Sequence, residues 1–99
     1  MKIDTVCNAF DALSQPNRLK IFRILVEHSK DGITPTEIAD LMGGVPRNTL
    51  SFHLSLLNAA DLCESNKNGK QIIYKPKCDT VKKIAHYLLK DCCEGDCKC

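Results

Sequence analysis

Apolar residues recur at helical spacing along most of the chain, and the period changes once, about two thirds of the way along. Ile3, Val6, Cys7, Phe10 and Leu13 fall every three or four residues, which predicts an amphipathic first helix with Cys7 on its apolar side. In LSQPNRLKIFRILVEHS, Pro16 stands where a first helical turn tolerates it. Leu19, Ile21, Phe22, Ile24, Leu25 and Val26 then follow, apolar nearly all round. That pattern predicts a buried central helix with His28 at its solvated C-terminal end.

TPTEIADLMGG has strong start and stop signals: Thr34 as N-cap, Pro35 at the first helical position, Glu37 where a capping box needs it, then Gly43 and Gly44. VPRNTLSFHLSLLNAADL opens another helix at Pro46, with Leu50, Leu54 and Leu57 on one face and Arg47, Asn48, Ser51 and Ser55 on the other. Two short helices joined by a glycine turn predict a helix-turn-helix. The period breaks at CESNKNGKQIIYKP, where Asn68-Gly69 signals a hairpin and the second segment carries Ile72, Ile73 and Tyr74. A helix-turn-helix followed directly by a hairpin is a winged helix, so the fold class is mainly α with a β-hairpin wing (α+β). Val81, Ile84, Ala85, Leu88, Leu89 and Cys92 complete the pattern as a last helical stripe, expected from about Thr80 to the first tail cysteine.

A chain of 99 residues fits one small domain, which gains stability by pairing with a second copy. The expected division is a DNA-binding and dimerisation domain over residues 1–91 and a cysteine-rich tail over residues 92–99. Overall charge is nearly balanced, 14 Lys+Arg against 12 Asp+Glu, so its distribution matters more than its sum. Between residues 45 and 77 there are five Lys+Arg and two Asp+Glu, with Lys67 and Lys70 at the hairpin tip, where phosphates would lie. Small hydrogen-bonding side chains and an Arg on the outer face of the second helix suit base edges in a major groove. His28, His53 and His86 are scattered without an evident catalytic partner, so no enzyme is expected.

These segments resemble the ArsR/SmtB family of bacterial metal-responsive repressors across nearly the whole chain. ALSQPNRLKIFRIL looks like its second-helix signature, TLSFHLSLL like its recognition helix and NGKQIIY like its wing. The resemblance implies a homodimer joined through its first and last helices, bound to an inverted repeat of double-stranded operator DNA and released by an inducer. It places Arg47, Asn48, Ser51 and His53 in the DNA-contacting stretch and Lys67 and Lys70 in the wing. His53 also flanks the leucine stripe, so packing and DNA contact are both open to it.

The family's sensory sites match less well. Its Cys-Val-Cys arsenic site belongs on the helix that here reads TPTEIADLM. Its zinc site needs an Asp-x-His opening, whereas Thr80 and Val81 follow Asp79 and His86 stands alone. Cadmium-sensing relatives use two cysteines along the recognition helix, where this chain has only Cys63 near the end. Cys63 and Cys78, flanking the wing, are expected to be packing residues.

Sensing is therefore expected in CCEGDCKC, which puts Cys92, Cys93, Cys97 and Cys99 in the last eight residues. The opening MKIDTVCNAF lacks the apolar run of a secretory signal and no stretch approaches the ~20 apolar residues of a membrane span, so a cytoplasmic protein with reduced thiols is expected. Three or four soft sulfurs suit arsenite, antimonite, Cd(II), Zn(II) or Cu(I) and disfavour Mg(II) and Ca(II). Trivalent arsenic takes three thiolates in a pyramid, which Cys92, Cys93 and Cys97 would satisfy, and the complex is neutral. Zn(II) with four thiolates would be doubly negative amid Asp91, Glu94 and Asp96. Some arsenic-responsive family members hold their site in C-terminal cysteines that include an adjacent pair, and that similarity moves As(III), with Sb(III), ahead of Cd(II) or Zn(II). Thiol oxidation or persulfide sensing on the same fold, and a metal-buffering or thiol-transfer protein, are the alternatives.

Overall fold

The computed structural model describes residues 1–92. They form α1 (Ile3–Leu13), α2 (Pro16–Glu27), α3 (Pro35–Leu41), α4 (Arg47–Ala59), a hairpin of β1 (Cys63–Asn68) and β2 (Gln71–Pro76), and α5 (Cys78–Leu89). This is the winged helix that the pattern predicts.

The core is where α1, α2, α3 and α4 turn their apolar faces towards one another. Ile21 and Leu25 of α2, Ile38 of α3, and Leu50 and Leu57 of α4 are fully buried. Each contributes about 1.5–3 kcal/mol relative to an exposed side chain. The capping box on α3 forms as the sequence indicates: Glu37 N–H donates to Thr34 Oγ1 at 3.2 Å and Thr34 N–H to Glu37 Oε1 at 3.3 Å. That cap fixes the direction in which the short helix leaves the loop, and Gly44 N–H closes its far end on the Ala39 carbonyl at 2.8 Å.

The wing is anchored at its base. Ile33 N–H donates to the Tyr74 carbonyl at 3.1 Å and Tyr74 N–H to the Ile33 carbonyl at 2.8 Å, which joins β2 to the segment before α3. Gly32 makes that approach possible. Its φ is +81°, and a Cβ there would overlap Ile73 Cγ2. Also at the base, Asp61, with φ +62°, reverses the chain after α4 and accepts from Lys77 Nζ at 2.6 Å and from Thr80 Oγ1 at 3.2 Å. The Lys77 ammonium holds the Asp61 carboxyl below its usual range.

Four details differ from the sequence expectation. Asn68 pairs with Gln71, so the turn is Gly69-Lys70, one residue later than Asn68-Gly69; positive φ at Gly69 alone gives the II′ pattern, which needs glycine first. In α1 the core contacts are Val6, Ala9 and Ala12, whose small side chains let the helix approach closely. Ile3, Cys7 and Phe10 lie about a third of a turn round, and Ile3 and Phe10 are 64% and 44% exposed. Leu19 of the central helix is 46% exposed, because the buried face there is Ile21, Phe22 and Leu25. Finally, α5 ends at Leu89: Lys90 takes extended ψ and Asp91 a left-handed φ of +65°, so half-buried Cys92 follows a break instead of continuing the helical stripe.

Candidate nucleic-acid interface

The first turns of α4 present Asn48, Ser51, Phe52 and Ser55 on the side away from the buried Leu50, Leu54 and Leu57. Ser55 Oγ donates to the Phe52 carbonyl at 2.8 Å, which fixes its hydroxyl locally while leaving acceptor capacity outward. Asn48 carries both an amide donor and an acceptor into solvent, the combination that reads adenine in the major groove.

Arg47 points differently. Its Nη1 donates to Thr36 Oγ1 at 3.1 Å, which carries the guanidinium towards α3. There Thr34, Thr36, Glu37, Arg47, Lys70 and Gln71 line a cleft of about 490 Å³ between the start of α3, the start of α4 and the wing. Lys67 is exposed on the same hairpin, so the wing tip carries two exposed cations. Phosphate is the anion that such a cleft beside a groove-reading helix would meet first.

His53 is a correction to the sequence expectation of a DNA contact. It is 8% exposed, on the buried side of α4, and its Nδ1 has no hydrogen-bond partner among the described residues. Burial pushes its pKa down, and the charge of Arg18 adds to the effect. Arg18 itself is held by a bond from Nε to the Ala12 carbonyl at 2.7 Å, so α1, α2 and α4 meet around this imidazole. His53 packs between the helices, the other reading open to it.

Cys63 is 1% exposed, its thiol faces the Leu54 carbonyl at 3.9 Å, and burial, aided by Glu64, pushes its pKa up to about 11. It is a packing residue, as its place beside the wing suggests. Cys78 is exposed at the start of α5. Of the proposed metal ligands, Cys93, Cys97 and Cys99 lie outside the described residues. Among the described residues no three His, Cys, Asp or Glu side chains come together as a metal site.

Phe52 is the residue that sequence reasoning passed over. Its signal was available: it stands four residues after Asn48 and between Ser51 and Ser55, on the face assigned to DNA.

A recognition helix with a small polar outer face, a short helix ahead of it and a lysine-tipped hairpin behind it defines a winged helix-turn-helix DNA-binding protein. The helix-turn-helix domain family matches residues 13–66, more than half of the chain, and the chain belongs to that family. Among solved structures it is similar to an ArsR-like transcriptional regulator from Rhodococcus sp. RHA1, at 28% identity over 86% of this chain and 76% of that one, with a TM-score of 0.76. The transcriptional repressor BigR from Xylella fastidiosa is also 28% identical, over 88% of this chain and 87% of its own, with a TM-score of 0.67. The homodimeric winged helix-turn-helix DNA-binding domain of Mb0332 from Mycobacterium bovis has the same fold, at 24% identity over 88% of this chain and 78% of that one, with a TM-score of 0.71. No protein with a curated description matches the sequence at a significant level. The fold is shared with ArsR-type regulators, and fold and family are those of transcriptional regulators, not of enzymes. Among the described residues no helix is long and apolar enough to cross a membrane.

Proposed function

We propose that this chain is a cytoplasmic transcriptional repressor that holds an inverted-repeat operator as a homodimer and releases it when trivalent arsenic or antimony binds Cys92, Cys93 and one of Cys97 and Cys99. The observation that carries the DNA-binding part is the exposed Asn48, Ser51, Phe52 and Ser55 face of α4 beside the Arg47 and Lys70 cleft. Asn48 and Ser51 face base edges in this reading, while Arg47, Lys67 and Lys70 hold phosphates.

Two uncovered apolar surfaces support the dimer. Ile3, Cys7 and Phe10 on α1, and Tyr87, Leu88 and Leu89 on α5, lie open on the single chain, with Leu88 57% exposed. A second copy covering both would remove them from water, and the related Mb0332 domain is homodimeric. Two recognition helices would then enter major grooves one turn apart, about 34–36 Å centre to centre.

The sensory part rests on the chemistry of the tail. Cys92 begins it three residues beyond α5, immediately after the apolar patch assigned to the dimer. Three thiols displace three waters from arsenous acid and give a neutral complex, so binding needs no compensating cation. Tying the tail to the end of α5 would bias the relative position of the two recognition helices. A coupling of about 1–3 kcal/mol, roughly 5- to 150-fold in affinity, is typical of such linkages.

The test is fluorescence anisotropy of the reduced protein on the DNA upstream of its own gene, titrated with arsenite, antimonite, Cd(II) and Zn(II), with Cys93→Ser as control. Release by arsenite from the wild type alone is expected. Binding that ignores arsenite but yields to Cd(II), Zn(II) or peroxide would keep the repressor and replace its inducer.

A further inference from the structure

We infer that Phe52 is a sequence-reading residue, its ring taking the C5-methyl group of a thymine in the major groove; this rests on the DNA-binding reading of α4.

Phe52 is 59% exposed on a helix whose leucines 50, 54 and 57 are at most 2% exposed. It is a large aromatic ring open to water in the middle of an otherwise small and polar face, and the described residues do not cover it. The nearest ring is His53, 6.0 Å away centroid to centroid and tilted by 53°, and it lies on the buried side of the helix. Nor does the proposed dimer surface claim Phe52. At the far end of α4, Leu56, Ala59 and the following Ala60 line a pocket with Asn8, Asp11 and Ala12 of α1, one turn and more beyond Phe52. Phe52 belongs with Asn48, Ser51 and Ser55 towards the start of the helix, the end that such motifs present to base edges.

In the major groove the apolar group available to such a ring is the thymine methyl. Asn48, which presents both a donor and an acceptor, matches adenine N7 and N6–H₂. Phe52 lies one helical turn, about 5.4 Å, further on the same face. At about 3.4 Å per base step, the thymine it covers falls one or two base pairs from the adenine read by Asn48.

The experiment first selects sites from a random duplex library with the wild-type protein. Each thymine of the selected half-site is then replaced by deoxyuridine, which removes the methyl group and keeps every hydrogen-bonding group. Loss of one buried methyl corresponds to about fourfold weaker binding per half-site. The expected result is that drop at one thymine, one or two base pairs from an adenine whose replacement is also costly. Phe52→Ala is expected to bind the thymine and uracil duplexes alike, with an unchanged dependence on salt. Phe52→Leu, which keeps an apolar side chain and a good helix former, should retain part of the discrimination. Wild-type indifference to every uracil substitution would overturn the proposal, and so would a Phe52→Ala variant that still distinguishes the two bases. The uracil series uses the wild type, so a variant that fails to fold does not blunt it. Recovery of no preferred sequence by the folded wild type would instead overturn the DNA-reading role of α4, and this inference with it.

Discussion

Arg47 Nη1 donates to Thr36 Oγ1 at 3.1 Å, so the first side chain of the recognition helix is held against the helix before it instead of extending along its own outer face. The bond joins the two halves of the helix-turn-helix at their N-terminal ends. It also turns the guanidinium into the cleft that Lys70 enters from the wing. The two cations share one opening although 23 residues separate them in the chain.

Arg47→Ala and Lys70→Ala are therefore expected to weaken DNA binding by similar factors on every sequence. Each should lower the slope of log affinity against log salt by about 0.9. Asn48→Ala should leave that slope alone and erase discrimination at one base pair, a difference of about 1–3 kcal/mol. Anisotropy titrations at several salt concentrations, on the selected site and on a single-substitution series, separate the two behaviours. Sequence-dependent losses in Arg47→Ala would show that its guanidinium leaves Thr36 to read a base.

Gly32→Ala should destabilise the protein far more than Gly43→Ala. Both residues have positive φ, +81° and +82°, so each substitution meets the left-handed penalty of about 1–2 kcal/mol. At Gly43 nothing lies near the added carbon, whereas at Gly32 it overlaps Ile73 Cγ2, and that crowding adds about 1–3 kcal/mol. Urea denaturation of both variants checks the difference. Because Gly32 lies beside the Ile33 and Tyr74 bridge, Gly32→Ala should also loosen the wing and lower DNA affinity in the folded fraction.

Cys63 should resist alkylation in the native state. With its pKa pushed up to about 11, roughly one thiol in a thousand is ionised at about pH 8, and the side chain is 1% exposed. Cys7 and Cys78 are exposed. Iodoacetamide labelling followed by peptide mass spectrometry is expected to mark Cys78 in the native protein and Cys63 only after denaturation, with Cys7 shielded by the proposed dimer. Early labelling of Cys63 would mean that β1 detaches readily from α4. The same protection keeps Cys63 out of any thiolate site formed by the tail.

The architecture was legible because each element carries a local signal that tertiary packing reinforces. Thr34, Pro35 and Glu37 announce the start of α3, and the leucine stripe of α4 dictates its buried face. What periodicity could not resolve was the choice between two apolar faces on one helix. In α1 the stripe through Ile3, Cys7 and Phe10 looks like a core face, yet alanines 9 and 12 make the closer contact. His53 was ambiguous for a related reason, since it stands at the edge of a stripe where a rotation of a few tens of degrees decides between core and groove. Phe52 was passed over because aromatic residues on helices are commonly read as core. The end of α5 depended on the left-handed backbone at Asp91, a residue type that tolerates this conformation without requiring it.

Burial of His53 makes stability depend on pH in a stated direction. Its pKa in the folded protein is lowered from the ordinary 6.5, first by desolvation and then by Arg18, so folding favours the neutral imidazole. Below 6.5 the unfolded chain takes up a proton that the folded chain resists. The stabilisation is thus fully present above the unfolded value and is lost as pH falls through the depressed folded value. Urea midpoints measured between about pH 5 and pH 8 should fall on the acid side in the wild type. His53→Gln, which keeps a polar side chain but has no titrating group, should flatten that part of the profile. An unchanged acid slope in His53→Gln would overturn the assignment to His53; Asp61, lowered from 3.8 by Lys77, loses its pair only below this window.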